Sequence, residues 1–158
     1  MGNAAAPGLT EDEISALREI AGAMIPADPA LGMPGADDPA ILADIVRSVG
    51  RDLPLVREAV AAIGRKSGGS FAGMDQDARE ALLNGYHADG GAPAATLGRV
   101  ILGGYYRDDR VLLAIGHEAR APFPKGYEVE QGDWSLLDPV KRRAKFWRDD
   151  RVAAEGDR

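Results

Sequence analysis

The chain of 158 residues has no cysteine. Disulfides, thiolate zinc sites, iron–sulfur ligation and a cysteine nucleophile are therefore excluded. Histidine is scarce, with only His87 and His117. His87 is expected to end a helix beside Asp89, where a cation suits the helix dipole. His117 next to Glu118 makes one neighbouring pair, whereas zinc needs three or four ligands around the ion. No apolar run approaches the roughly 18 residues of a membrane span, so direct membrane insertion is not expected. Positive charge is also short: 19 Lys and Arg against 25 Asp and Glu leave a formal net charge of -6. Binding to nucleic acid needs clustered cations. The one basic cluster, Lys141-Arg142-Arg143-Ala144-Lys145, is surrounded by Asp133, Asp138, Asp149 and Asp150, and nucleic acid is not an expected partner.

The opening MGNAAAPGLTEDE shows no basic region, apolar segment or twin arginine, and Ala6 stands where myristoylation wants Ser or Thr. A cytoplasmic location is expected, or a periplasmic one if an exported partner carries the chain.

Catalytic signatures are missing as well. Ser15, Ser48, Ser67, Ser70 and Ser135 lie in no Gly-x-Ser-x-Gly elbow. The pieces GRKSGGS and DGGAP lack the Gly-Lys-Ser/Thr ending of a phosphate loop and follow no strand. Asp37-Asp38, Asp108-Asp109 and Asp149-Asp150 sit at element boundaries, where capping accounts for them. No catalytic, cofactor-binding or metal-binding residue is assigned.

What is present reads as helix. Thr10 and Glu13 form a Thr-x-x-Glu capping box, followed by Ile14, Leu17, Ala21, Met24 and Ile25 on one face until Pro26. After a Pro/Gly/Asp-rich loop (26–38), Asp38-Pro39 opens a second helix with Ile41, Leu42, Ile45, Val46 and Val49 inward. A third, begun near Asp52 to Pro54, turns Leu55, Val56, Ala59, Val60 and Ile63 inward, and Gly64 with residues 66–70 is expected to close it. Asp75 caps a fourth with Ala78, Leu82, Leu83 and Tyr86. Pro93 opens a fifth through Leu97, Val100, Ile101 and Tyr105, its end weakened by Gly103-Gly104. A short sixth spans Asp108 to Ile115. Strand alternation is poor. The fold class expected is all-α: a small irregular helical bundle (1–116) with an extended C-terminal arm (117–158) of the same domain, its end disordered.

Seven of the nine aromatic residues fall between Gly103 and Arg148: Tyr105, Tyr106, Phe123, Tyr127, Trp134, Phe146 and Trp147. An irregular segment is usually polar, so these rings either complete the chain's own core or face another protein. Pro122-Phe123-Pro124 reads as a stiff extended piece that holds one ring outward. Tyr, Trp and Arg are the residue types that dominate interface hot spots. The candidate partner-binding residues are therefore Tyr105, Tyr106, Phe123, Pro124, Tyr127, Trp134, Leu136, Leu137, Arg142, Phe146 and Trp147.

Four stretches resemble the third, small subunit of gluconate 2-dehydrogenase and related multisubunit flavin dehydrogenases. They are Leu9-Thr10-Glu11 leading to Met24-Ile25-Pro26-Ala27-Asp28; Met33-Pro34-Gly35-Ala36; Gly104-Tyr105-Tyr106-Arg107-Asp108 with Val111; and PFPKGYEVEQGDWSLLDPVKRR across Pro122 to Arg143. The last is the most specific. The resemblance implies a helical, non-catalytic subunit that binds a large FAD-holding subunit similar to glucose-methanol-choline (GMC) oxidoreductases, which oxidises alcohol or sugar hydroxyls, and that supports its folding, stability or export. Many relatives carry a twin-arginine leader that this sequence does not show. The resemblance supplies no catalytic residue. Two other readings stay open: an independent small enzyme or ligand-binding helical domain using His117, Glu118 and Tyr106, and an arm-swapped homo-oligomer.

Overall fold

A computed structural model describes residues 8–121 and 123–146. Among them it has seven α-helices and no strand, so the chain is all-α. The first helix, α1 (Glu11–Met24), begins with the reciprocal box read from the sequence. The Glu13 amide donates to Thr10 Oγ1 at 3.2 Å, and the Thr10 amide donates to Glu13 Oε2 at 2.8 Å. The Thr10 amide and then Arg57, whose Nε donates at 2.9 Å, hold the Glu13 carboxyl below the usual carboxylate range. One residue thus caps α1 and ties it to α3.

Helix α2 (Pro39–Ser48) is capped by Asp38, which accepts from the Ala40 amide at 2.9 Å, with Pro39 in the first turn. A 3₁₀ turn at Gly50–Asp52 leads into α3 (Leu53–Lys66). Gly64, expected to help close α3, lies inside it. Closure falls to Ser67–Gly69, where Gly68 takes φ 62° and the Gly69 amide reaches back to the Gly64 carbonyl at 2.8 Å. A second 3₁₀ turn, Phe71–Gly73, buries Phe71. Asp75 caps α4 (Gln76–Asp89), accepting from the Ala78 amide at 2.8 Å. Next come α5 (Ala92–Tyr105) and α6 (Asp109–Ala114), the latter capped by Asp108.

Helix α5 is the hub and packs on both α2 and α3. Its Leu97, Val100, Ile101 and Tyr105 meet Ile41, Leu42 and Ile45 of α2, Val56, Val60 and Ile63 of α3, and Leu17 and Ile20 of α1 in one core. Helix α4 is more polar and buries no residue fully; Leu82, Leu83 and Tyr86 lie half-buried at the core margin. Helix α5 runs through Gly103-Gly104 to Tyr105 as expected, and it keeps a poor helix former at position 104. The reason is tertiary. A Cβ on Gly104 would sit 2.3 Å from Ile45 Cγ1, so the missing side chain is what lets α2 and α5 approach.

The loop between α1 and α2 is well fixed. Asp28 and Met33 exchange two backbone hydrogen bonds of 2.9 Å around Gly32, and the Ala36 amide donates to Ile25 O at 2.9 Å.

The chain divides into two compact units, Met1–Arg120 and Ala121–Arg158. In the second, residues 123–125 turn, with a cis Phe123–Pro124 bond and Gly126 at φ 71°. The extended Pro-Phe-Pro piece is thus corrected to a turn; Pro122 itself lies outside the described residues. Residues beyond Gly116 also hold more helix than their weak periodicity suggests: a 3₁₀ turn at Trp134–Leu137 runs into α7 (Asp138–Lys141). Local chemistry starts it, because Asp133 Oδ1 accepts from both the amide and the hydroxyl of Ser135. The end expected to be disordered lies outside the described residues.

Candidate interaction surface

The candidate residues divide between the two units. In the helical unit, Tyr105 is 1% exposed. Its ring belongs to the core, and its hydroxyl donates to the Pro34 carbonyl at 3.0 Å. Burial raises the hydroxyl's pKa above the ordinary tyrosine value. Tyr105 therefore holds the 26–38 loop on α5 and presents no surface. Replacing it with Phe leaves that carbonyl without its donor, and we expect a loss of about 1–2 kcal/mol in urea unfolding. Tyr106, half-exposed, meets the edge of the Tyr105 ring at 5.3 Å between centroids and 81° between planes. Tyr106 is the member of the pair that faces out.

In the C-terminal unit no described side chain is buried. Phe123 is 86% exposed, Trp134 66% and Phe146 92%. Tyr127, Leu136 and Leu137 are exposed with them, as are Pro124 and Arg142. Trp134 Nε1 lies 3.4 Å from Gln131 Oε1, at the outer limit of a hydrogen bond. Asp138 opens α7 and accepts from Lys141 Nζ at 3.1 Å. Trp147 falls outside the described residues. Val129 and Val140 are also exposed and were not singled out by the sequence, because isolated valines carry no motif. So many exposed large apolar side chains within one short segment make it the candidate protein contact.

A charged lattice that no sequence motif signals lies on the helical unit. Arg110 donates to Asp38 Oδ1 at 2.8 Å and to Asp108 Oδ1 and Oδ2 at 2.9 Å each. The caps of α2 and α6 thereby share one guanidinium. Arg107 donates to Asp44 Oδ2 from Nε at 2.9 Å and from Nη2 at 2.6 Å, and to Ser48 Oγ at 2.9 Å. Arg47 also pairs with Asp44. The Arg110 contacts hold the Asp38 and Asp108 carboxyls below the ordinary aspartate range, and Arg107 does the same for Asp44. A carboxylate with a lowered folded-state pKa stabilises the fold above the unfolded value of about 3.9, and this contribution is lost as pH falls below it. Arg110→Ala should cost about 1 kcal/mol or less at pH 7, since the pair is partly exposed. The gap from wild type should narrow as thermal unfolding is followed to pH values below the unfolded-state pKa.

Between α4 and α5 lies a groove of ≈ 490 Å³, with Met24, Leu83, Leu97 and Leu102 along it and Glu80 and His87 among its polar residues. No group of three His, Asp or Glu residues fit to hold a metal occurs among the described residues. His117 is exposed, Glu118 pairs with Arg120, and no hydrogen bond joins His117 to Tyr106. No described helix is long and apolar enough to cross a membrane. Set against protein-family models, curated proteins and solved structures, the chain matches none.

Proposed function

We propose that this chain is the non-catalytic small subunit of a heteromeric, FAD-dependent oxidoreductase of the GMC type. The large subunit would hold the FAD and oxidise an alcohol or sugar hydroxyl; this chain would support its folding, stability and assembly. The observation that carries the reading is the exposure of the C-terminal unit's rings and leucines, Phe123, Trp134, Leu136 and Phe146 among them. Burying one such side chain contributes about 1.5–3 kcal/mol. Association costs on the order of 4–15 kcal/mol in lost freedom, so several must be buried together. A binder that covers apolar surface of the folded catalytic subunit stabilises it by mass action. The resemblance of Pro122–Arg143 to small subunits of flavin dehydrogenases supplies the class of partner, and the compartment is the partner's.

Co-expression with the product of any neighbouring reading frame that encodes a GMC-type flavoprotein, followed by affinity capture of this chain, tests the reading. The expected result is a yellow, stoichiometric complex whose large subunit melts higher than when expressed alone. A large subunit that is loaded, stable and unbound without this chain overturns it.

A further inference from the structure

Residues 126–133, Gly-Tyr-Glu-Val-Glu-Gln-Gly-Asp, run without turn, bend, helix or strand pairing between the turn at 123–125 and the 3₁₀ turn at Trp134. From Glu128 to Gly132 no backbone N–H or C=O makes a hydrogen bond among the described residues. All five residues are exposed, Val129 at 78%. A plain linker would be rich in Gly and Ser or in Pro. This run instead carries Tyr127 and Val129, both strand formers, two residues apart, each followed by a glutamate, Glu128 and Glu130. In an extended chain successive side chains point to opposite faces, so Tyr127, Val129 and Gln131 share one face and the two glutamates the other. The pattern is that of an edge strand with no sheet.

We infer that residues 127–131 add as a strand to an open β-sheet edge of the partner subunit. This rests on the docking-arm reading above and names how the arm docks. Main-chain hydrogen bonds give such additions their affinity, and alternate side chains give specificity. The chemistry of the edge follows from this chain's residues. Natural sheet edges are guarded against chance pairing by charged side chains, lysine above all. A strand with two carboxylates on one face and Val129 on the other complements an edge with lysine or arginine on one face and apolar cover on the other. A dinucleotide-binding partner has an open sheet to offer.

The test is residue-resolved amide hydrogen exchange on the full-length chain, free and in complex with the co-expressed flavoprotein. In the complex, alternate amides of residues 127–132 should slow by about 100-fold or more, because only every second N–H points at the new neighbour. Val129→Pro and Glu130→Pro supply a second readout. Their N–H groups point opposite ways, and proline is tolerated only where the N–H faces solvent. One variant should lose about tenfold or more in affinity while its neighbour binds nearly as wild type. A yellow complex in which these amides exchange as in the free chain, or in which both prolines are tolerated, overturns the strand and leaves the docking arm standing. If no flavoprotein co-purifies, the docking-arm reading falls and takes this inference with it.

Discussion

Gly104→Ala is expected to melt the helical unit well below Gly103→Ala, although the two glycines are adjacent in α5. An alanine in a helix interior gains about 1 kcal/mol over glycine from propensity alone. At Gly103 a Cβ meets nothing within 4 Å, so that gain is expected in full. At Gly104 the same methyl would stand 2.3 Å from Ile45 Cγ1 and 3.3 Å from Ile45 Cδ1. Carbon atoms rest at about 3.5–4.0 Å, so α2 and α5 must part or Ile45 must leave its rotamer. Overpacking of this kind costs about 1–3 kcal/mol, and the distance puts Gly104 toward the upper end. The gap between the two variants should be about 3 kcal/mol, on the order of 10 °C in melting temperature for a unit of this size. Ile45→Ala removes the obstructing atoms. Alone it should cost about 2–5 kcal/mol through the cavity it leaves. Combined with Gly104→Ala it should cost less than the sum, with a coupling of about 1–3 kcal/mol. Equal stability of the two glycine variants would refute the close approach of α2 and α5.

The same pair shows where the sequence was legible and where it was not. Helix starts are local events: Thr10 with Glu13, Asp38 with Pro39, Asp75 and Asp108 each lie within three residues of the amides they cap. All four are visible as letters. The apolar faces of α2 and α5 also read true, because burial follows the helical period, and that of α3 does from Val56 to Ile63, although Leu53 and not Leu55 packs against the core. Gly104 could be read only as a weak helix former, since its purpose depends on Ile45, 59 residues earlier. Arg110 looked like one charge among many, yet it joins Asp38, 72 residues away, to its neighbour Asp108. Tyr105 and Tyr106 carry the same side chain, and only the helical phase set by neighbouring packing sends one into the core and the other outward. The short turn at Trp134–Leu137 was hidden because four residues are too few to show a period; its signal was the Asp133 cap on Ser135.

Trp134→Ala and Phe123→Ala are expected to weaken the complex with the flavoprotein by 2 kcal/mol or more each, about 30-fold in Kd. Neither should change urea unfolding of the free chain by more than about 0.5 kcal/mol. The asymmetry follows from where the rings sit. Both are mainly exposed, so truncating them in the free chain removes little packing. Trp134 gives up its 3.4 Å contact with Gln131. On a partner the same rings would pass from water into contact, and aromatic anchors bury 150–250 Å² each. Arg142→Ala makes the contrasting case. A charge that stays at the rim of an interface changes the association rate and its salt dependence more than the affinity, so its loss should stay below about 1 kcal/mol and shrink as salt is raised. Isothermal titration of the purified subunits, with denaturation of each free variant alongside, separates the two kinds of effect. If both ring variants unfold the free chain and bind as wild type, the C-terminal rings belong to this chain's own core and the docking arm is wrong.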